Sequence, residues 1–296
     1  MKKKLSINDI AQQLNVAKST VSFIINGKAK EKRITDELTQ KVLKYIEEKG
    51  FKPNQLARSL STGKTKMICL MVEKISDYFF SHVAYHLEEL AYKSGYKIIY
   101  CSTDNDTEKT KELINMFRNR HVDGYIITPP PGIENEIREL LQDNLPVVLF
   151  DRHFDTLSTD YVMLDNFNST YEATTNLAVS GYKNIGFVTL ASHQNQMLER
   201  YSGYTAAINH NDLKSNILQV SFDNDNDANV SEISRYLTEH NEIDALLFAT
   251  NYLAITGIKA INDLKLSIPE NIAVIAFDDH EILVSTILQL VRLPNR

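Results

Sequence analysis

The sequence predicts an α/β protein in two parts: a small N-terminal head of three helices built round a helix-turn-helix and followed by a short extra helix, then a body of two parallel-sheet subdomains. Three observations carry the prediction. Helix caps and a helical apolar rhythm fill the first fifty residues, apolar runs alternate with amphipathic stretches from Met67 onward, and charge divides sharply between the two parts.

In the head, Ser6 followed three residues later by Asp9 makes a capping box, and Ile7, Ile10, Ala11 and Leu14 then recur at helical spacing, so a short helix starts at about Ile7. Asn15 tolerates the left-handed conformation that ends it. A second helix follows from Ala17 or Lys18, with Val21, Ile24 and Ile25 apolar, and Asn26-Gly27 stops it. Small Ala11 lets the second helix cross close above the first. A third helix opens near Thr35 with Asp36 and Glu37 at its positive end, turns Leu38, Val42, Tyr45 and Ile46 inward, and ends at Gly50. Pro53 pre-forms a further start, and Asn54 to Thr62 reads as a helix closed by Gly63. At roughly nine residues it is marginal alone and orders when something holds it; an ordinary connector helix is the other reading.

Residues 1–66 carry 15 Lys or Arg against 6 Asp or Glu, a net +9, and the remaining 230 carry 17 against 32, a net −15. Such a division fits a front that binds a polyanion and a body that avoids it; a solvated basic tail is the alternative that charge alone leaves open. With 296 residues, 43% hydrophobic and 24% charged, the chain has globular composition rather than that of a disordered, collagenous or coiled-coil protein. Its longest apolar runs, Met67 to Val72 and Ile272 to Phe277, are six residues against the about 20 that a membrane helix needs. After the basic start at Lys2-Lys3-Lys4 no apolar stretch follows, so neither export nor membrane attachment is expected, and the expected location is the cytoplasm. Cys69 and Cys101 each lie inside an apolar strand-like run with no neighbouring Cys or His at ligand spacing, as reduced, buried thiols would.

The body reads as two series. Strands are expected at Met67 to Val72, Lys97 to Ser102, Tyr125 to Thr128 and Val147 to Phe150, with helices near Phe80 to Ser94, Glu108 to Arg120 and Glu134 to Asp143. The second series has strands at Ile185 to Thr189, Ile217 to Phe222, Ala245 to Ala249 and Ile272 to Phe277, and helices near Ser169 to Ser180, Arg200 to His210, Val230 to His240 and Leu253 to Leu264. Tyr161 to Asn166 is the expected crossover between them. Ligands of open parallel sheets lie beyond the carboxyl ends of the strands. There the sequence places Ser76-Asp77-Tyr78-Phe79, Asp151-Arg152, Thr250-Asn251 and Asp278-Asp279, with Arg200 expected at the start of a helix. Carboxylates, amides, a guanidinium fork and an aromatic face suit a small polyol; each residue taken singly could equally be a helix cap or surface charge.

Ser19-Thr20-Val21-Ser22, Asn26-Gly27-Lys28, Pro53-Asn54 and Ala57-Arg58-Ser59-Leu60 together resemble the signature of the LacI/GalR bacterial regulators, and the resemblance runs through nearly the whole chain. It implies a helix-turn-helix DNA-binding domain at 1–52, a hinge helix and linker at 53–66, and a bilobed, periplasmic-binding-protein-like domain for effector binding and dimerisation at 67–296. It also implies a homodimer on a pseudo-palindromic double-stranded operator. The second helix would lie in the major groove, and paired hinge helices would enter the minor groove, with Leu60 as an apolar wedge between base pairs and Ala57 allowing close approach. The DNA-contacting residues so implied are Ser6, Lys18, Ser19, Thr20, Ser22, Phe23, Asn26, Lys28, Asn54, Ala57 and Leu60.

Phe23 stands where such proteins often carry Arg or His; it either meets a thymine methyl or merely packs. The stretch Lys28 to Arg33 is about three residues longer than the usual loop, and its charge suits phosphates. In the body, Asp77, Tyr78, Phe79, Asp151, Arg200, Asn251 and Asp278 would hold a sugar-like effector, while Tyr252 replaces the acidic residue common after that Asn. The expected function is a sequence-specific transcriptional regulator, a repressor controlled by a small sugar. A regulator whose body binds a partner protein rather than a sugar is one alternative; a truncated, non-functional regulator is the other, because the tail Ile282 to Arg296 lacks the proline-rich return usual in such proteins. No enzyme, cofactor or metal is expected: nucleotide, hydrolase and zincin motifs are absent, and His82 and His86 lack a third ligand.

Overall fold

The computed structural model describes residues 5–51, 59, 62–222 and 224–278, and the chain divides into two units, Met1–Thr65 and Lys66–Arg296. In the first unit α1 (Ile7–Gln13) begins with the expected reciprocal cap: Ser6 Oγ accepts from the Asp9 N–H at 3.2 Å, and the Asp9 carboxylate accepts from the Ser6 N–H at 2.8 Å. Asn15 takes a φ of 53°, and the Val16 N–H donates to the Ala11 carbonyl at 3.0 Å, turning the chain into α2 (Lys18–Ile25). Thr35 caps α3 (Asp36–Glu48). Ile10, Ala11, Val21, Ile24 and Val42 form the buried centre. Of the short helix expected at Asn54 to Thr62, only Ser59 and Thr62 fall among the described residues.

The second unit opens with β1 (Met67–Val72), α4 (Tyr78–Lys93), β2 (Lys97–Ser102), α5 (Thr107–Asn119), β3 (Gly124–Ile127), α6 (Glu134–Gln142), β4 (Val147–Phe150) and β5 (Asp160–Val162). These strands form one parallel sheet in the order β2-β1-β3-β4-β5. A second lobe follows with α7 (Asn166–Val179), β6 (Ile185–Leu190), α8 (Asn195–His210), β7 (Asn216–Val220), α9 (Asn226–Glu239), β8 (Ala245–Phe248), α10 (Asn251–Asp263) and β9 (Ala273–Ala276). Its parallel sheet runs β7-β6-β8-β9. Every residue of β6 and β8 is buried, as parallel strands covered by helices on both faces require. No helix among the described residues is long and apolar enough to cross a membrane.

Three expectations need correction. β5 was not foreseen: Asp160, Tyr161 and Val162 are all exposed, so the only thing marking them as strand is pairing with β4. Five of the seven helices of the body begin two to five residues earlier than apolar spacing suggested, and in four of these a side-chain cap, Asp77, Asp165, Asp225 or Thr250, sets the start. Arg200 therefore sits in the second turn of α8 rather than at a helix start. Finally, Cys69 and Cys101, distant in sequence, are diagonal neighbours on β1 and β2, where Cys69 pairs with Ile99 and Cys101 with Met71; both thiols are free, and Cys69 is fully buried whereas Cys101 is only partly so. The tail at Ile282 to Arg296 lies outside the described residues.

Candidate functional site

Two surfaces bear on function. On the head, Lys18 and Ser19 are exposed at the open first turn of α2, where Ala17 supplies no side-chain cap and the free N–H groups give a positive end. Thr20, Ser22 and Phe23 are half-buried further along that helix, and Ser6 and Lys28 are exposed beside it in sequence order. Asn26 ends the helix by donating from Nδ2 to the Ser22 carbonyl at 2.9 Å. The longer loop folds back on itself: Ala29 is buried, the Ile34 N–H donates to its carbonyl at 2.9 Å, and Lys32 Nζ lies 5.5 Å from the centre of the Phe23 ring. The half-buried Phe23 ring thus has a cation over one face and lies apart from the buried core of the head. Asn54, Ala57 and Leu60 lie outside the described residues.

In the body a cleft of about 320 Å³ lies between the lobes at the carboxyl ends of both sheets, near the low end of the roughly 300–1,000 Å³ of small-molecule sites. Six of the seven residues expected there line it: Asp77, Phe79, Asp151, Arg200, Asn251 and Asp278. Tyr78 does not; its ring lies against His82 at 4.3 Å, on the side of α4 away from the lining. Asp77 also caps α4 by accepting from the Phe79 N–H at 2.9 Å, so a cap and a cleft carboxylate are one residue. Phe79 stacks on Phe150 at 5.9 Å, which fixes its ring at the cleft edge.

Asp151 after β4 and Asp278 after β9 hold the same left-handed conformation, with φ of 65° and 67°. Such backbone is costly for a residue with a Cβ, least so for Asp and Asn, and it recurs where side chains must be aimed into a site. Burial pushes the Asp151 carboxyl above its ordinary value, opposed by the charges of Arg152 and Arg200. Arg200, 3% exposed, is anchored from three sides: Nε donates to Asn166 Oδ1 at 2.9 Å, Nη1 to the Ala249 carbonyl at 2.5 Å, and the Phe277 ring covers its guanidinium at 3.5 Å. Burial lowers its pKa, while Asp278 and Asp151 hold it up. The α7–α8 approach behind this depends on Gly203, where a Cβ would come within 2.3 Å of the Phe167 carbonyl oxygen.

A polar chain that the sequence did not suggest crosses the cleft. Arg152 donates from Nη2 to Glu73 at 2.5 Å and from Nη1 to Asn105 Oδ1 at 2.6 Å; Gln194 Nε2, from the other lobe, donates to that same Asn105 oxygen at 3.1 Å, and Gln196 Nε2 donates to Gln194 Oε1 at 3.3 Å. Glu73 directly follows β1, so the rule that found Asp151 would have found it. Gln194 and Gln196 were hidden because the start of α8 was placed at Arg200. Among the described residues no group of three or more His, Cys, Asp and Glu is placed to hold a metal.

Residues 6–54 match the family model described as "Bacterial regulatory proteins, lacI family", and residues 65–294 match "Periplasmic binding proteins and sugar binding domain of LacI family". The HTH-type transcriptional regulator RegA of Clostridium saccharobutylicum is 30% identical over 93% of this chain and 82% of its own length. The HTH-type transcriptional repressor PurR of Histophilus somni (strain 2336) is 28% identical over the same shares. Among solved structures, a periplasmic binding protein/LacI transcriptional regulator from Alkaliphilus metalliredigens QYMF complexed with D-xylulofuranose is 25% identical, with a TM-score of 0.67 over 76% of this chain and 82% of that one.

Proposed function

Because the chain belongs to the LacI family of bacterial regulatory proteins, and so is a DNA-binding transcriptional regulator, we propose that it is a cytoplasmic, non-catalytic repressor whose operator affinity is set by a small sugar in the body cleft. The domains are assigned as 1–52 for DNA, 53–66 for the hinge and 67–296 for effector and dimer. The cleft carries this reading: it joins two lobes, lies at both sets of strand ends, and is lined by hydroxyl-binding groups. The sugar in the Alkaliphilus relative, a ligand of that protein, supports the effector class.

On the head, the exposed Lys18 and Ser19 at the open end of α2 support major-groove contact, Thr20, Ser22 and Phe23 adding to it and Ser6, Asn26 and Lys28 placing the backbone. Asn54, Ala57 and Leu60 are assigned to the minor groove, with Leu60 as the wedge that offsets a few kcal/mol of unstacking by bending the duplex onto more protein. A homodimer is supported by one face of α4, where Tyr85 and Tyr92, two turns apart, are 59% and 78% exposed and offer aromatic surface that a second copy would cover. Effector binding favours one lobe arrangement and so changes the pairing of the two hinge segments. Only a difference in effector affinity between the two states can drive that change.

The test is selection of random duplex DNA by the purified chain at two salt concentrations. Enrichment of a palindrome with a flexible central step, bound far more weakly after Leu60→Gly while nonspecific DNA is bound as before, is the expected result. Salt-sensitive but sequence-blind binding, or equal losses on both DNAs, would refute the operator and wedge assignments.

A further inference from the structure

We propose that the cleft takes an uncharged, hydroxyl-rich ligand and rejects phosphorylated or carboxylated ones, an inference that rests on the cleft being the effector site. The charges point this way. Four carboxylates, Glu73, Asp77, Asp151 and Asp278, reach the lining against three cations, Lys74, Arg152 and Arg200. Anionic ligands are normally held by the free fork of a guanidinium. The fork of Arg152 is taken, one arm on Glu73 and the other on Asn105, and Arg200 spends Nε on Asn166 and Nη1 on the Ala249 carbonyl, with Phe277 over its face. Lys74 is exposed at the rim. A phosphate entering the cleft would face more negative charge than positive, with both buried cations already hydrogen-bonded within the protein.

What the lining leaves without hydrogen bonds is mixed in sense. Asn251, 3% exposed, uses its side-chain oxygen on the Tyr252 N–H at 2.7 Å, and its Nδ2 has no partner among the described residues. Gln196, also 3% exposed, uses its amide nitrogen on Gln194, and its Oε1 has no partner among them. Arg152 Nε, 3.7 Å from Asp151, is likewise without a hydrogen bond. Two unmet donors and one unmet acceptor, all buried at the lining, call for groups that both accept and donate. A hydroxyl does both; a phosphate dianion only accepts and would leave Gln196 Oε1 opposed. The rest of the second lobe's wall continues the pattern with amides of Asn224, Asn226 and Asn229.

The experiment is calorimetry of the full chain against neutral sugars and their charged counterparts: glucose beside glucose 6-phosphate and gluconate, ribose beside ribose 5-phosphate, fructose beside fructose 1,6-bisphosphate, and xylose beside xylose 5-phosphate. At least one neutral sugar is expected to bind, with its charged counterpart weaker by about a hundredfold or more, corresponding to roughly two lost charge-independent hydrogen bonds plus repulsion. Glu73→Gln releases one arm of Arg152 and should narrow that gap by about tenfold. Gln196→Leu should weaken the neutral sugar by at least about tenfold; Gln196→Glu, which keeps an acceptor, is the check that a loss is not mere unfolding. A phosphate or carboxylate binding as tightly as its neutral partner overturns the proposal but leaves the effector reading standing if it also shifts operator affinity. Silence from every compound overturns both.

Discussion

Replacing Arg200 by Met is the perturbation that tests most of the body at once. The guanidinium is 3% exposed and supplies two charge-assisted hydrogen bonds, to Asn166 on α7 and to the carbonyl of Ala249 beyond β8, while Phe277 beyond β9 stacks on it. Each such bond contributes about 1.5–3 kcal/mol, and Met fills part of the volume but removes the positive charge that faces Asp278 and Asp151, leaving Asp151 with Arg152 alone. Breaking a buried charged arrangement from one side typically costs about 3–5 kcal/mol. For a unit of this size that lowers the midpoint of unfolding by roughly 6–20 °C. Arg200→Lys keeps the charge but cannot hold Asn166 and Ala249 at once in one plane, so it should recover about half. Circular-dichroism melts of the three proteins, with hydrogen exchange to separate head from body, make the comparison. Unfolding of the body within about 1 kcal/mol of wild type in Met, or full recovery in Lys, would refute the anchoring role.

Three further outcomes follow from single contacts. Tyr204 is fully buried, its hydroxyl donating to the Ile185 carbonyl at 2.8 Å and accepting from the Asn216 N–H at 2.9 Å; Tyr204→Phe keeps the ring but strands both groups, and a urea melt should show a loss of about 2–4 kcal/mol, whereas a loss below about 0.5 would sink the bridging role. Asp151, held above its ordinary value of 3.8 by burial, ionises more readily unfolded than folded, so its contribution to stability falls as pH rises from that value through its raised folded one. Asp151→Asn should therefore stabilise the body at about pH 7 and make no difference near pH 3, and a variant equally shifted at both would contradict the burial argument. Hydrogen bonding within the thiol pair lowers the pKa of half-buried Cys101 and raises that of fully buried Cys69, so mass-mapped alkylation of the native protein should label Cys101 first; prior labelling of Cys69 would reverse that assignment.

Much of this was legible in the residues because local chemistry and fold agree there. The Ser6–Asp9 cap, the left-handed Asn15 and the small Ala11 each dictate one feature of the head, and all three are met. The strands announced themselves as apolar runs because both sheet faces are covered. β5 did not, since its three exposed residues carry no apolar pattern and its partner β4 supplies the order. The chemistry of the cleft was legible where a residue follows a strand directly, as Asp151 does, or opens the helix just beyond one, as Asn251 does. It was hidden where long-range pairing decides the role: nothing local shows that Arg152 is matched by Glu73, 79 residues earlier, or that Gln194 reaches Asn105 across 89 residues. The same blindness separated Cys69 from Cys101, and it misjudged Tyr78, whose neighbours Asp77 and Phe79 line the cleft while it points to His82.

The central claim is that one chain couples a sugar cleft to an operator, and coupling is reciprocal: whatever factor the sugar imposes on operator affinity, the operator must impose on sugar affinity. The most direct measurement is fluorescence anisotropy of the selected operator with the full chain, with and without a saturating neutral sugar from the calorimetric panel. A change of about five- to 150-fold, matched by the same factor in sugar affinity when operator is present, is the predicted result. An operator affinity that stays fixed while the sugar is bound would contradict it.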